Sequence, residues 1–172
     1  MADRPDRKVT SVSGGILPRI LQSWWAPRRI VRSLVAMSEA QKVVLLMLAM
    51  LIILIAQAPG HSRAATLNPS IPFEARFGGA LLAVMFLMPL FAYAVSWLVA
   101  VLSRLTPWRI DGPDSRLALF WALLAVAPAM LLQGLVGAFV GPGPALTMVQ
   151  IICGLGFLFI WGAGLSALAR RK

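Results

Sequence analysis

Few side chains in this sequence could take part in catalysis or metal binding. The chain has six acidic residues, one histidine and one cysteine. Asp111 and Asp114 flank a Gly-Pro pair, where carboxylates commonly act as turn and helix-capping residues. No nucleophile is paired with a base in a recognisable motif, and no zinc or phosphate-loop spacing is present. We therefore predict that the protein is not an enzyme and needs neither a metal nor another cofactor.

The single histidine and the single cysteine have simpler interpretations. His61 falls in a segment rich in Pro, Gly and Ser, residues 59–72, which we interpret as a solvated loop. Cys153 lies inside an apolar run, where a thiol is most simply a small buried hydrophobic group. One cysteine excludes a disulfide framework within the chain.

Composition and charge indicate a membrane protein. Hydrophobic residues make up 59% of the chain, charged residues only 13%, and no charged residue occurs from Leu117 to Ala169. So few polar residues could not cover the surface of a soluble fold. The net charge of +10 does not indicate nucleic-acid binding, because the basic residues are distributed by segment. The segments outside the apolar runs form two alternating sets, one with fourteen of the sixteen Lys and Arg residues and the other with two. This distribution predicts an inner-membrane protein with both termini in the cytoplasm.

The apolar runs predict an all-α fold with four membrane-spanning helices within residues 38–172. "SEAQ" forms a capping box at Ser38 and Gln41, and "PG" at 59–60 is expected to end the first span. "GPGP" predicts a tight hairpin with Gly141 in the left-handed region. The expected spans are 39–58, 73–103 with a break at Pro89, 115–140 with a break at Pro128, and 145–168.

Two short amphipathic helices are expected before the spans, in residues 14–37, and a disordered cytoplasmic tail in residues 1–13. Helices with aromatic and arginine residues at their edges lie in the membrane interface. We expect such an anchor to meet anionic lipid headgroups, to pack on the cytoplasmic ends of the spans, or both. The anchor residues would be Arg19, Trp24, Trp25, Arg28, Arg29 and Arg32.

Small residues in the last two spans favour close helix packing. The hairpin between these spans predicts that they pack against each other, and Gly137 and Gly141 form a "GxxxG" pair. The glycines expected at helix contacts are Gly134, Gly137, Gly141, Gly154, Gly156 and Gly162.

The chain resembles the bacterial branch of the Yip1 family, in the form found in alphaproteobacteria. The resemblance rests on "SWWAPRRIVRSL" at 23–34, on the prolines of the second and third spans, and on "RLALFWALLAVAPAMLLQGLVG" leading to "GPGPAL". It implies a small polytopic scaffold or shaping protein and supplies no catalytic residues.

Three functions follow as hypotheses. The first is a scaffold, accessory subunit or assembly partner of a larger membrane complex, bound to another membrane protein or to its own copies. The second is a small channel or carrier, with a site near Pro89, Pro128, Tyr93 and Gln133, because broken helices at matching positions occur in transporters. The third is curvature sensing by residues 14–37.

Overall fold

The computed structural model describes residues 15–171. Two short helices, α1 (Ile16–Gln22) and α2 (Pro27–Ser33), precede a bundle of long ones. The bundle consists of α3 (Glu39–Leu67), α4 (Phe73–Leu82) continued through a π-helical turn (Ala83–Leu87) into α5 (Met88–Ser103), α6 (Gly112–Phe139) and α7 (Pro144–Leu168). Two-residue strands, β1 (Trp108–Arg109) and β2 (Arg170–Arg171), pair antiparallel. The expected tail at residues 1–13 lies outside the described residues.

Four helical segments are long and apolar enough to cross a membrane: α3, α4 with α5, α6, and α7. The protein therefore has the architecture of a multi-pass α-helical membrane protein. One end of the bundle contains the first residues of α3 and α6 and the last residues of α5 and α7. We call it the basic end. The opposite end, where α3 and α6 finish and α4 and α7 begin, is the distal end.

The expected end of the first span at Pro59 is wrong. Helix α3 includes Pro59 and continues to Leu67. A proline inside a helix removes one hydrogen bond and kinks the helix, but neighbouring packing can compensate. Here Arg63 donates from Nη1 to the carbonyl of Ala138 at 2.7 Å, and His61 contacts Phe77 edge-on. These contacts hold the last turns of α3 against α6 and α4.

Three other local signals are found where the sequence places them, but the expected break at Pro128 is wrong, because α6 runs through that proline from Gly112 to Phe139. The side chain of Ser38 accepts from the backbone of Gln41, and Gln41 accepts from the backbone of Ser38. Gly141 has a φ of 87°, and Pro144 opens α7. Asp111 occupies the N-cap position of α6, but its side chain makes no capping hydrogen bond; its carboxylate instead lies 3.9 Å from Arg170.

Helix α6 is the centre of the bundle. It contacts α1, α2, α3, α5 and α7, and Leu117, Phe120, Trp121 and Leu124 on it are fully buried. Helices α5 and α7 both pack on α6. The π-helical turn in the second span comes just before Pro89, whose missing N–H explains the local change of hydrogen bonding.

Candidate functional sites

The N-terminal helix pair, Ile16–Ser33, packs against the bundle's own helices. Helix α2 lies along α7, and α1 contacts α6. Arg32 donates from Nε to the carbonyl of Ala167, close to the end of α7. The apolar face of α2, formed by Ile30, Val31 and Leu34, is buried.

The turn of the helix pair reaches the middle of the bundle. The indole Nε1 of Trp24 donates to the carbonyl of Ala125 at 3.3 Å. That carbonyl lies thirteen residues into α6, about 20 Å from the basic end of the helix. The same indole lies against Gly156 of α7, where an added Cβ would be 2.6 Å from the Trp24 ring. The helix pair therefore reaches along the bundle and does not only cover the basic end of its helices.

A buried hydrogen bond adjoins this contact. Trp121 donates from its indole nitrogen to the hydroxyl of Ser23 at 2.9 Å, and Ser23 donates to the carbonyl of Arg19 at 2.7 Å. Ser23 is fully buried, although the sequence pattern places it on the polar face of α1. Helical periodicity alone could not reveal that a tryptophan of α6 would supply its partner.

The remaining anchor residues, apart from Arg19, face outward. Trp25 is 70% exposed, and Arg28, Arg29 and Arg32 are exposed; Arg19 is partly buried. Trp25, Arg28 and Arg29 line a surface cleft of about 680 Å³ whose other wall is α7, including Leu158 and Phe159. The cleft combines guanidinium groups with an apolar wall.

A polar cluster ties α3 to α6 at the basic end. Lys42 is 4% exposed, and its Nζ lies 2.8 Å from Glu39 and donates to the carbonyl of Pro113 at 3.2 Å. Glu39 also forms an ion pair with Arg116, at 3.0 Å. The guanidinium of Arg116 lies 6.0 Å from the centre of the Tyr93 ring. The buried Lys42 is thus both ion-paired and hydrogen-bonded, which is the usual reason that a buried charge is tolerated.

The six predicted packing glycines behave differently from one another. Gly134 contacts the backbone of Ala56 so closely that no Cβ could be added, and a Cβ on Gly137 would make an ordinary contact with Leu146. At Gly141 the guanidinium of Arg63 fills the space. At Gly154 and Gly162 an added Cβ would have no atom of the described residues within 4 Å. Gly134 thus serves contact with α3, whereas the sequence pattern suggested contact between the last two spans.

The residues named for a channel or carrier are not brought together in one cavity. Gln133 lines a cavity at the distal end, but Pro89, Pro128 and Tyr93 do not line it. Tyr93 instead contacts Phe120 edge-on, with ring centres 5.1 Å apart. The cavity also contains His61, which is on α3 and not in a loop as expected.

A third opening separates α5 from α7. This crevice, of about 310 Å³, has α6 and α3 as its floor and is lined almost entirely by apolar groups. Phe157 and Trp161 of α7 stack at its edge, with ring centres 5.6 Å apart. The indole nitrogen of Trp161 is buried and has no hydrogen-bond partner within residues 15–171. Sequence reasoning missed this feature, because no local pattern indicates which helices leave a gap.

Within residues 15–171 no group of three or more His, Cys, Asp or Glu side chains could hold a metal ion. The fold and these sites define a class only, that of α-helical multi-pass membrane proteins. Comparisons with models of known families, with curated proteins and with solved structures give no match for the chain.

Proposed function

We propose that the protein is a non-catalytic inner-membrane protein that acts as a scaffold, accessory subunit or assembly partner of a larger membrane complex. The observation that carries the proposal is the crevice between α5 and α7. Its lining from Phe91, Val95, Leu119, Leu123 and Trp161 suits a transmembrane helix of a partner.

The orientation in the membrane is part of the proposal. Of the Lys and Arg residues in the described part, only Arg63 and Arg76 lie toward the distal end. The positive-inside rule then puts the basic end and both termini in the cytoplasm.

The cleft beside Trp25 is proposed to bind anionic lipid headgroups. Arg28 and Arg29 would meet the phosphate, and the wall formed by Leu158 and Phe159 would contact the acyl chain. Changing both arginines to Gln should lower the amount of phosphatidylglycerol that copurifies, relative to phosphatidylethanolamine. An unchanged lipid ratio would contradict this part of the proposal.

The resemblance to the Yip1 family stays a proposal and agrees with a non-catalytic role. It adds no residue to the sites described above.

The experiment is native extraction of the full chain followed by mass spectrometry of the bound proteins, at low and high salt. A stoichiometric membrane partner is expected. Val95→Trp, which fills the crevice, should release that partner, whereas Leu98→Trp, on the exposed side of α5, should retain it. Recovery of the chain alone under all conditions would contradict the accessory-subunit proposal.

A further inference from the structure

Glutamine side chains from three helices converge on the cavity at the distal end. The cavity has a volume of about 580 Å³ and lies between α3, α6 and α7. Gln57, Gln133 and Gln150 line it, one from each helix. The chain has only five glutamines, so three of them meeting in one cavity is a concentration of amides that the apolar composition does not explain.

These amides lie inside the bundle's length. Gln133 is six residues from the end of α6, and Gln150 is six residues from the start of α7, so each lies about 9 Å in from the distal end. Residues 15–171 provide no protein hydrogen-bond partner for the three side chains. Gln57 and Gln133 are half-buried and Gln150 is exposed, so the amides are open to a molecule that enters the cavity. Polar groups within apolar spans commonly mark a functional site.

His61 adds a fourth polar group one helical turn after Gln57. It lines the same cavity, and its Nε2 is buried without a protein partner in the described part of the chain. The ring is held from one side by Phe77, at 6.4 Å between ring centres. The three amides by themselves supply both donors and acceptors to the cavity.

We propose that this cavity binds a small uncharged polar molecule that carries several hydroxyl groups, such as a sugar. Among the residues that the structure describes, no Asp, Glu, Lys or Arg lines the cavity, so none of them there would neutralise a charged ligand. Ile53, Met130 and Leu146 provide apolar surface for the carbon face of such a molecule. A free sugar and the headgroup of a neutral glycolipid both carry several hydroxyl groups of this kind. This binding activity goes beyond the proposed scaffold function and does not depend on it.

His61 makes the proposal directly measurable. Because it is the only histidine in the chain, its ring nitrogens give unambiguous NMR signals in the full protein labelled with ¹⁵N-histidine. The protein is placed in phosphatidylcholine nanodiscs, since sugar-based detergents would compete. Glucose is titrated in one arm, and glucosyl-diacylglycerol is added to the nanodiscs in the other.

A saturable shift of the His61 signals is expected in at least one arm. A response to glucose identifies a free-solute site, and a response to the glycolipid alone identifies a headgroup site. No response in either arm overturns the proposal.

Variants separate this cavity from any other binding site. Gln57→Leu and Gln133→Leu should each weaken binding at least tenfold, because each removes hydrogen bonds without adding charge to an apolar helix. Gln22→Leu on α1 is the matched control and should bind as the unaltered chain does. Circular dichroism and gel filtration establish that each variant folds. Binding that is unchanged in both cavity variants overturns the assignment.

Discussion

Gly156 allows the indole of Trp24 to reach the middle of the bundle. The ring occupies the space where any other residue would carry its Cβ. Its N–H is then satisfied by the carbonyl of Ala125 on α6. A glycine on α7 thus creates the room in which one tryptophan reaches a backbone acceptor on α6.

Gly156→Leu should displace Trp24 and destabilise the protein by about 1–3 kcal/mol, the usual cost of overpacking a well-packed site. Reversible unfolding in mixed micelles, followed by tryptophan fluorescence, measures the change. Gly154→Leu is the matched control, because it adds the same side chain to the same helix where nothing lies within 4 Å. Equal effects of the two substitutions would contradict the role assigned to Gly156.

Ser23→Ala should destabilise the protein by about 1–3 kcal/mol, because the indole N–H of Trp121 would stay buried without its acceptor. Ser166→Ala is a suitable control, since that exposed hydroxyl bonds only to the carbonyl of Ala163 in its own helix. Trp121→Phe should remove most of the penalty of Ser23→Ala in the double variant, as measured by the same unfolding assay. Additive penalties would show that the two side chains are not coupled.

At the scale of elements, Glu39 links the beginnings of α3 and α6. It forms ion pairs with the buried Lys42 on its own helix and with the Arg116 guanidinium on the other. The loss of this carboxylate would leave Lys42 with the Pro113 carbonyl as its remaining hydrogen-bond acceptor.

Glu39→Gln should therefore lower the free energy of unfolding by about 1–3 kcal/mol, a value for hydrogen bonds to charged groups. Glu74→Gln, at an exposed position in the first turn of α4, should have little effect. Lys42→Met combined with Glu39→Gln should recover stability, because the buried charge is then removed with its partner. Thermal unfolding monitored by circular dichroism compares the stability of the unaltered chain, the two single variants and the double variant.

Elements that depend on local chemistry could be predicted from the sequence. The capping box at Ser38, the left-handed Gly141 and the start of α7 at Pro144 each follow from one residue type and its neighbours. The end of α3 could not, because Arg63 and His61 hold the helix past Pro59 through contacts with other helices. The cavity was missed for the same reason: Gln57 and Gln150 are far apart in sequence and meet only through α6.

At the scale of the whole molecule, the basic end is closed and the distal end is open. The strands β1 and β2 and the Glu39 cluster join the helix ends at the basic end. The glutamine cavity opens near the distal end, and the crevice between α5 and α7 opens to the side. A ligand in the cavity and a partner in the crevice would therefore approach from different directions.

The orientation can be tested with cysteines placed at opposite ends of a chain carrying Cys153→Ala. Ser70→Cys lies in the exposed loop between α3 and α4, and Leu105→Cys lies after α5, where the native side chain is 84% exposed. With the basic end in the cytoplasm, a membrane-impermeant maleimide should label position 70 in spheroplasts and position 105 only after lysis. The reverse pattern would show that this chain departs from the positive-inside rule. That rule predicts the opposite orientation, because fourteen of the sixteen basic residues lie in one set of alternate segments. The reverse pattern would also move the glutamine cavity to the cytoplasmic side, where the sugars and glycolipids that could reach it are those of the cell interior.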